Sequence, residues 1–175
     1  MKKLLFAALA ITLAASCMKS GKSSASWTHT YAGSLKTELA DSHEEVYSEQ
    51  GVIATIDCPD MFQQRFNFEF SEGVQFVSGM PRLKICLPNL EYTMQQREEE
   101  ATNEVYDWII DQKDVVPTIG GVPYETFKMS VVKGIVTNKT VKMEFWLTFK
   151  GVEYHVVFAW DRITPPSDSE DGTEN

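Results

Sequence analysis

The sequence predicts a mostly β protein with one folded domain over residues 27–163, and two observations support that prediction. From Trp27 onward the apolar residues recur mainly at every second position, as in half-buried strands whose successive side chains point to opposite faces. The 175 residues are 43% apolar and 23% charged, which is an ordinary composition for a globular domain. The net charge of −9 argues against a nucleic-acid partner, because phosphate binding needs a basic stripe.

Residues 1–16 predict a lipoprotein signal peptide. Two lysines precede an apolar run of 12 residues, which is too short to span a bilayer as a helix. The run ends in Leu-Ala-Ala-Ser-Cys, which resembles a bacterial lipobox, and the resemblance implies that Cys17 becomes a lipid-bearing N-terminus. Residues 17–26 are rich in Gly and Ser, so we expect a flexible tether that holds the domain at the membrane.

Two residues after the lipobox indicate which membrane face the protein occupies. Met18 and Lys19 follow Cys17, whereas surface-export signals in similar lipoproteins carry acidic residues there. We therefore expect attachment to the outer membrane with the domain facing the periplasm.

Five segments alternate between apolar and polar residues before the last hairpin, at residues 27–39, 52–58, 62–70, 83–87 and 127–135. Each predicts a strand with one buried face. The first places an aromatic residue at 27, a histidine at 29 and a tyrosine at 31 on that face. The pair Gly120-Gly121 predicts a turn.

The clearest unit is a hairpin formed by residues 141–149 and 152–160. Apolar residues occupy the odd positions of the first strand and the even positions of the second, with Lys150-Gly151 as a two-residue turn. This turn pairs Phe149 with Val152 and continues to Val141 with Trp160, so every apolar residue faces another one. A three-residue loop at 138–140 is expected to place the odd residues of the preceding strand on the same face.

Two segments depart from alternation. Residues 97–112 begin with a run of charge and then place Ala101, Val105, Trp108 and Ile109 at helical spacing, which predicts one short helix that covers an end or a face of the sheet. Residues 164–175 contain no apolar residue and four acids, so we expect a disordered acidic tail.

Three short motifs resemble those of calycin-like, lipocalin-like lipoproteins of Bacteroidetes. They are Tyr-Ala-Gly-Ser-Leu at 31–35, Leu-Pro-Asn-Leu-Glu-Tyr at 87–92 and Gly-Ile-Val-Thr-Asn at 134–138. The resemblance covers residues 27–161 and implies an antiparallel lipocalin-like β-barrel of about eight strands. It carries no catalytic signature.

The inner face of such a barrel supplies the candidate ligand-binding residues. They are a histidine, two tyrosines and four phenylalanines: His29, Tyr31, Phe127, Phe145, Phe149, Tyr154 and Phe158. A histidine on such a face is more often a satisfied buried residue than a ligand contact, and both alternatives stay open for His29. His155 falls on the outer face opposite Trp146, which indicates either a contact surface or a patch that the helix covers.

The sequence contains no recognisable catalytic, nucleotide-binding or metal-binding motif, so we expect neither an enzyme nor a cofactor or metal site. Three cysteines and three histidines are few and scattered along the chain. Cys58 and Cys86 could form a disulfide in an oxidising compartment, but their positions in the alternation place them on opposite faces.

Two functions remain open at this stage. The domain could hold a small apolar ligand inside the barrel, since barrels of this size enclose one ligand or none. Alternatively, a filled barrel could act as an interaction protein that contacts another envelope protein. A cavity favours the first function and a packed interior the second.

Overall fold

The computed structural model describes residues 26–96, 106–137 and 139–162, and these form eleven strands and two short 3₁₀ turns. The strands are β1 (Trp27–Leu39), β2 (Glu45–Cys58), β3 (Arg65–Glu69), β4 (Ile85–Glu91), β5 (Thr93–Gln96), β6 (Tyr106–Val115), β7 (Thr118–Ile119), β8 (Val122–Pro123), β9 (Met129–Val136), β10 (Thr140–Phe149) and β11 (Val152–Arg162). The 3₁₀ turns are Met61–Gln63 and Glu125–Phe127.

All eleven strands belong to one antiparallel sheet, in the order β5-β6-β9-β10-β11-β1-β2-β3-β4-β7-β8. The sheet curls into a half-barrel, so the mostly β prediction is confirmed, while the expected count of eight strands is wrong. Tyr92 alone separates β4 from β5. The chain therefore passes directly from pairing with β3 to pairing with β6, which brings the two sides of the curled sheet together.

The predicted register of the β10–β11 hairpin is confirmed at every pair, from Phe149–Val152 to Val141–Trp160. Lys150 and Gly151 both have positive φ, of 52° and 79°, as a type I′ hairpin turn requires. That turn matches the twist of the flanking strands. β11 also pairs with β1, which joins the two ends of the described chain in the middle of the sheet.

The short helix expected at residues 97–112 is wrong for the part that the structure describes. Tyr106–Val115 is a strand that pairs with β5 and β9. Trp108 and Ile110 point inward on alternate positions, and this period of two competes in the sequence with the helical spacing of Trp108 and Ile109. Pairing with two neighbouring strands outweighs the local helical pattern. Residues 97–105 lie outside the described residues.

β9 presents a different set of residues to the interior from the one predicted. Val132 and Val136 are buried, whereas Ile135 is exposed. The Thr137 amide donates to the Thr140 carbonyl oxygen at 2.9 Å, which shortens the loop and pairs Val136 with Val141. A bulge opposite Trp146 and Leu147 then returns Met129 to the inner face.

The remaining alternating segments behave largely as predicted. The inner faces of β1, β2, β3 and β4 are buried, while Phe62 is 77% exposed in the first 3₁₀ turn and does not join its predicted strand. Gly120-Gly121 forms the predicted turn, between β7 and β8.

The predicted signal peptide at 1–16, Cys17, nearly all of the tether and the acidic tail at 164–175 lie outside the described residues. Among the residues that are described, none belongs to a helix long and apolar enough to cross a membrane.

Candidate functional site

The seven predicted ligand-binding residues occupy three levels along the curled sheet. Tyr31, Phe145 and Phe158 are fully buried in its centre. The other four lie nearer its two ends: Phe127, Phe149, Tyr154 and His29. Of these, Phe127 is buried, whereas the other three are half-buried. The sequence therefore identifies an inward-facing set but does not show that its members are separated along the strands.

The centre is a packed aromatic cluster of six rings: Phe68, Phe70, Phe76, Phe145, Phe158 and Trp160. Neighbouring centroids lie between 4.3 and 6.5 Å apart, with edge-to-face and stacked pairs mixed. The Trp160 indole donates to the Val52 carbonyl oxygen at 3.1 Å, which satisfies its buried N–H. Phe145 and Phe158 therefore act as packing residues, and Tyr31 is buried beside them in the same core.

A second aromatic group, Trp27, Phe66, Tyr92 and Trp108, lies where β1 starts and defines what we call the aromatic end. Tyr92 stacks on Trp108 at 4.2 Å, and Trp27 lies 4.8 Å from the same ring. Burial raises the pKa of Tyr92 to about 12, and the Tyr92 hydroxyl donates to the Met61 carbonyl oxygen at 3.3 Å. His29 contacts Trp27 edge-on at 4.2 Å, so this predicted ligand residue belongs to the aromatic end.

The opposite end of the sheet is open. There, a concave apolar groove of about 400 Å³ lies beside the last residue of β10, and we call this the groove end. Its lining is mostly apolar and comprises Pro81, Leu83, Ile119, Val122, Tyr124, Thr126, Phe127 and Phe149. Val122 is 65% exposed and Tyr124 40% exposed, so the groove presents apolar surface to solvent.

Local backbone structure explains how the groove forms. The glycine pair at 120–121 has positive φ at both residues and folds β8 back on β7. The Tyr124 amide then donates to the Pro117 carbonyl oxygen at 2.8 Å, and a 3₁₀ turn follows at once. This turn stacks the Phe127 ring on the Phe149 ring, with 5.7 Å between their centroids. The centroid of the Tyr124 ring lies 5.3 Å from that of Phe127.

Two of the predicted ligand residues, Phe127 and Phe149, therefore line the groove. The sequence reasoning missed Leu83, Ile119, Val122 and Tyr124. The sequence did contain a signal for these residues. Ile119, Val122 and Tyr124 flank the Gly-Gly turn, and the segment has few of the polar residues that an exposed loop usually carries.

The outer face of β10 and β11 carries the predicted pair of Trp146 and His155, whose rings stack at 4.2 Å. Both residues are half-buried, and no helix covers them among the residues that the structure describes. The His155 Nε2 lies 3.2 Å from the Glu144 carboxylate, and Glu38 of β1 lies beside the same ring. Of the two alternatives drawn from the sequence, a helix over Trp146 therefore finds no support in this part of the chain.

Cys58 and Cys86 are both free thiols. Cys58 is buried on the inner face and donates to the Arg65 carbonyl oxygen at 3.2 Å, whereas Cys86 points to the outer face between two buried residues. Burial raises the pKa of each thiol. The opposite faces expected from the alternation are confirmed.

The chain matches no family model, no curated protein and no solved structure. The resemblance to calycin-like lipoproteins therefore stays a prediction that the sequence motifs alone support.

Proposed function

We propose that this protein is a lipid-anchored, non-enzymatic binding module of a bacterial envelope that takes a small apolar ligand in the groove end. The observation that carries the proposal is the contrast in enclosure along the sheet. Rings fill the centre, while the groove end has a volume of about 400 Å³ and an apolar lining. Small-molecule sites are typically concave, mostly apolar and of a few hundred Å³.

The lining also indicates the chemistry of the ligand. Phe127, Phe149, Val122 and Ile119 offer apolar contacts, while the hydroxyl groups of Tyr124 and Thr126 are the polar groups of the groove. A flat or branched apolar molecule with at most one or two polar atoms fits this set. Covering exposed apolar surface would contribute about 25 cal/mol per Å² removed from water.

The proposed anchor would leave the groove accessible, because the two would lie at opposite ends of the domain. β1 begins at Trp27 in the aromatic end and runs toward the groove end, where Leu39 pairs with Tyr154. A tether that precedes Trp27 would therefore hold the aromatic end toward the outer membrane. The groove would face the periplasm, away from the lipid, where a ligand can reach it.

An uncharged fluorescent probe, N-phenyl-1-naphthylamine, tests the groove directly. We expect its fluorescence to rise on binding, and Val122→Asp to weaken that binding by at least about tenfold, because a carboxylate in an apolar groove costs more than 1.4 kcal/mol. Ile135→Asp is the matched control, since Ile135 is also exposed but lies in β9, away from the groove. Equal binding by the two variants would refute the proposal.

The packed centre favours a second candidate, in which the filled domain contacts another envelope protein through the groove end. A photo-crosslinker attached to a cysteine at position 122 would distinguish the two functions in membranes. One dominant protein adduct, together with no probe binding by the purified protein, would support this second candidate.

The proposed anchor has its own test. Cys17→Ser removes the thiol that would carry the lipid, so we expect the protein to move from the membrane fraction to the soluble fraction. Ser16→Ala is a suitable control because it leaves the small residue before the proposed cleavage site. Unchanged fractionation of Cys17→Ser would contradict lipid anchoring without affecting the groove.

A further inference from the structure

Two of the three histidines meet one carboxylate on the outer face of the sheet, away from the groove lining. The Glu38 Oε2 atom lies 3.7 Å from the His43 Nδ1 atom and 3.7 Å from the His155 Nδ1 atom. The three ligand-type atoms all lie within 4.8 Å of one another. They come from β1, from the loop between β1 and β2, and from β11, so residues distant in sequence converge here through the β1–β11 pairing.

The hydrogen bonding of His155 leaves its Nδ1 atom ready to bind a cation. The Nε2 atom lies 3.2 Å from the Glu144 Oε2 atom, and because a carboxylate only accepts, the ring donates there. In the neutral ring, this donation places the proton on Nε2 and leaves the lone pair on Nδ1. This Nδ1 atom is buried and makes no hydrogen bond, although it faces the Glu38 carboxylate.

The surrounding side chains hold this arrangement in place. The Trp146 ring stacks on the imidazole of His155 and restricts its rotation. The Lys142 amine lies 2.7 Å from the other oxygen of Glu144, which leaves Oε2 for the histidine. A carboxylate that accepts from the second ring nitrogen of a histidine is the arrangement that orients histidine ligands in metal sites.

The two carboxylate oxygens of Glu38 also have different partners. Its Oε1 atom lies 2.6 Å from the Lys36 amine, and Oε2 faces the two histidines. Glu38 and His155 have only 15% and 14% of their side chains exposed, and they provide a fixed half of the cluster.

His43 is the exposed member of the cluster. Its side chain is 73% exposed, on a loop closed by the His43 amide, which donates to the Leu39 carbonyl oxygen at 3.0 Å. Around a tetrahedral zinc ion with bonds of about 2.0–2.1 Å, ligand atoms are spaced about 3.3 Å apart. The two 3.7 Å distances are close to that value, and all three ligand atoms lie within 4.8 Å of one another. Binding would therefore require the exposed His43 side chain to move inward.

We propose that Glu38, His43 and His155 bind one divalent transition-metal ion of the Zn²⁺ type, with Glu144 orienting His155. Two imidazole nitrogens in the donor set favour zinc and its neighbours over Ca²⁺ and Mg²⁺, which prefer oxygen ligands. Three protein ligands leave a further position to water. The ion would join β1, the β1–β2 loop and β11. The proposal is independent of the ligand groove.

Metal-free full-length protein can be titrated with Zn²⁺ against a chromophoric chelator, and with Co²⁺ by visible absorption. We expect one ion per chain, with Co²⁺ bands typical of four-coordinate nitrogen and oxygen ligation. We expect His43→Ala and His155→Gln to abolish these bands. Because His43 is so exposed, its replacement leaves the fold intact, and circular dichroism checks this.

Glu144→Gln isolates the orienting role of the carboxylate. We expect it to weaken Zn²⁺ binding by about 10- to 100-fold, the usual cost of losing such a partner. Glu153→Gln is the matched control, because it makes the same charge change at an exposed position on β11 and should leave the affinity unchanged. Zn²⁺ binding that is absent, or that survives His43→Ala unchanged, would overturn the proposal.

Discussion

The sealed interior and the groove end use the same type of side chain with opposite results. By the sealed interior we mean the central aromatic cluster together with the aromatic end. There, rings from several parts of the sheet pack against one another, and all except the half-buried Trp27 are almost completely buried. At the groove end, Phe127 is buried but its stacking partner Phe149 is only half-buried, and Val122 and Tyr124 beside them face solvent.

The difference arises from the elements that bring the rings together. Paired strands carry most rings of the sealed interior. The three rings that lie between strands, those of Phe70, Phe76 and Tyr92, pack against rings on those strands. The rim of the groove comes instead from β7, β8 and the second 3₁₀ turn, which are two or three residues long. Short elements at the edge of a sheet cannot cover their own apolar side chains, and they leave a site that something else can cover.

The largest expected effect is in the centre. Phe145→Ala should lower the free energy of unfolding by about 3–5 kcal/mol, since it removes a buried ring and leaves a cavity. Thr148→Ala, on the exposed face of the same strand, should change it by less than about 0.5 kcal/mol. Urea denaturation of both variants measures the contrast.

Equal and small losses at positions 145 and 148 would contradict the hairpin register. The groove would then also lose its geometric basis, because Phe149 takes its inward position from that same register.

Alkaline unfolding probes the aromatic end. Burial raises the pKa of Tyr92 to about 12 from an ordinary value of 10.0, so this group favours the folded state fully below pH 10. Its contribution is lost as the pH rises from 10 toward 12, by up to about 2–3 kcal/mol, because the unfolded state ionises first. Tyr92→Phe should therefore show a flatter decline of stability in that range.

Urea denaturation of wild type and Tyr92→Phe at several pH values from 7 to 12 gives the two curves. Their separation at pH 7 reports the loss of the hydroxyl and its hydrogen bond to Met61, and only the change in separation above pH 10 reports ionisation. Parallel curves would show that the Tyr92 ring is less well sealed than the Phe145 ring.

The hairpin and β6 show how much of the fold the sequence could predict. In the hairpin, alternation and turn length are independent signals that agree, so the register followed from the residues alone. β6 contains three consecutive apolar residues, Trp108, Ile109 and Ile110, and such a run fits both a helical and a strand pattern. Only pairing with β5 and β9 selects the strand, and such long-range pairing is not visible in a local window.

The candidate sites show the same limit. Phe127 and Phe149 were predicted from their inward position, but inward position could not distinguish them from Phe145 and Phe158, which pack the centre. His43 and His155 looked scattered because 112 positions separate them in sequence. The β1–β11 pairing, between the two ends of the described chain, is what brings them to Glu38.

Among the aromatic residues, the smallest expected loss of stability is at the groove end, where Phe149→Ala should cost roughly 1–2 kcal/mol. Phe149 is half-buried, so its truncation removes one stacked contact with Phe127 and leaves an enlarged groove instead of a closed cavity. The same variant should lower the affinity for the naphthylamine probe, whereas Phe145→Ala, studied under conditions where it stays folded, should not. The two variants should therefore rank in opposite order for loss of stability and for loss of probe affinity. The reason is that rings in the interior stabilise the fold, whereas rings at the groove contact the ligand. A Phe149→Ala loss as large as that of Phe145→Ala would show that the groove end is packed like the interior and has no room for a ligand.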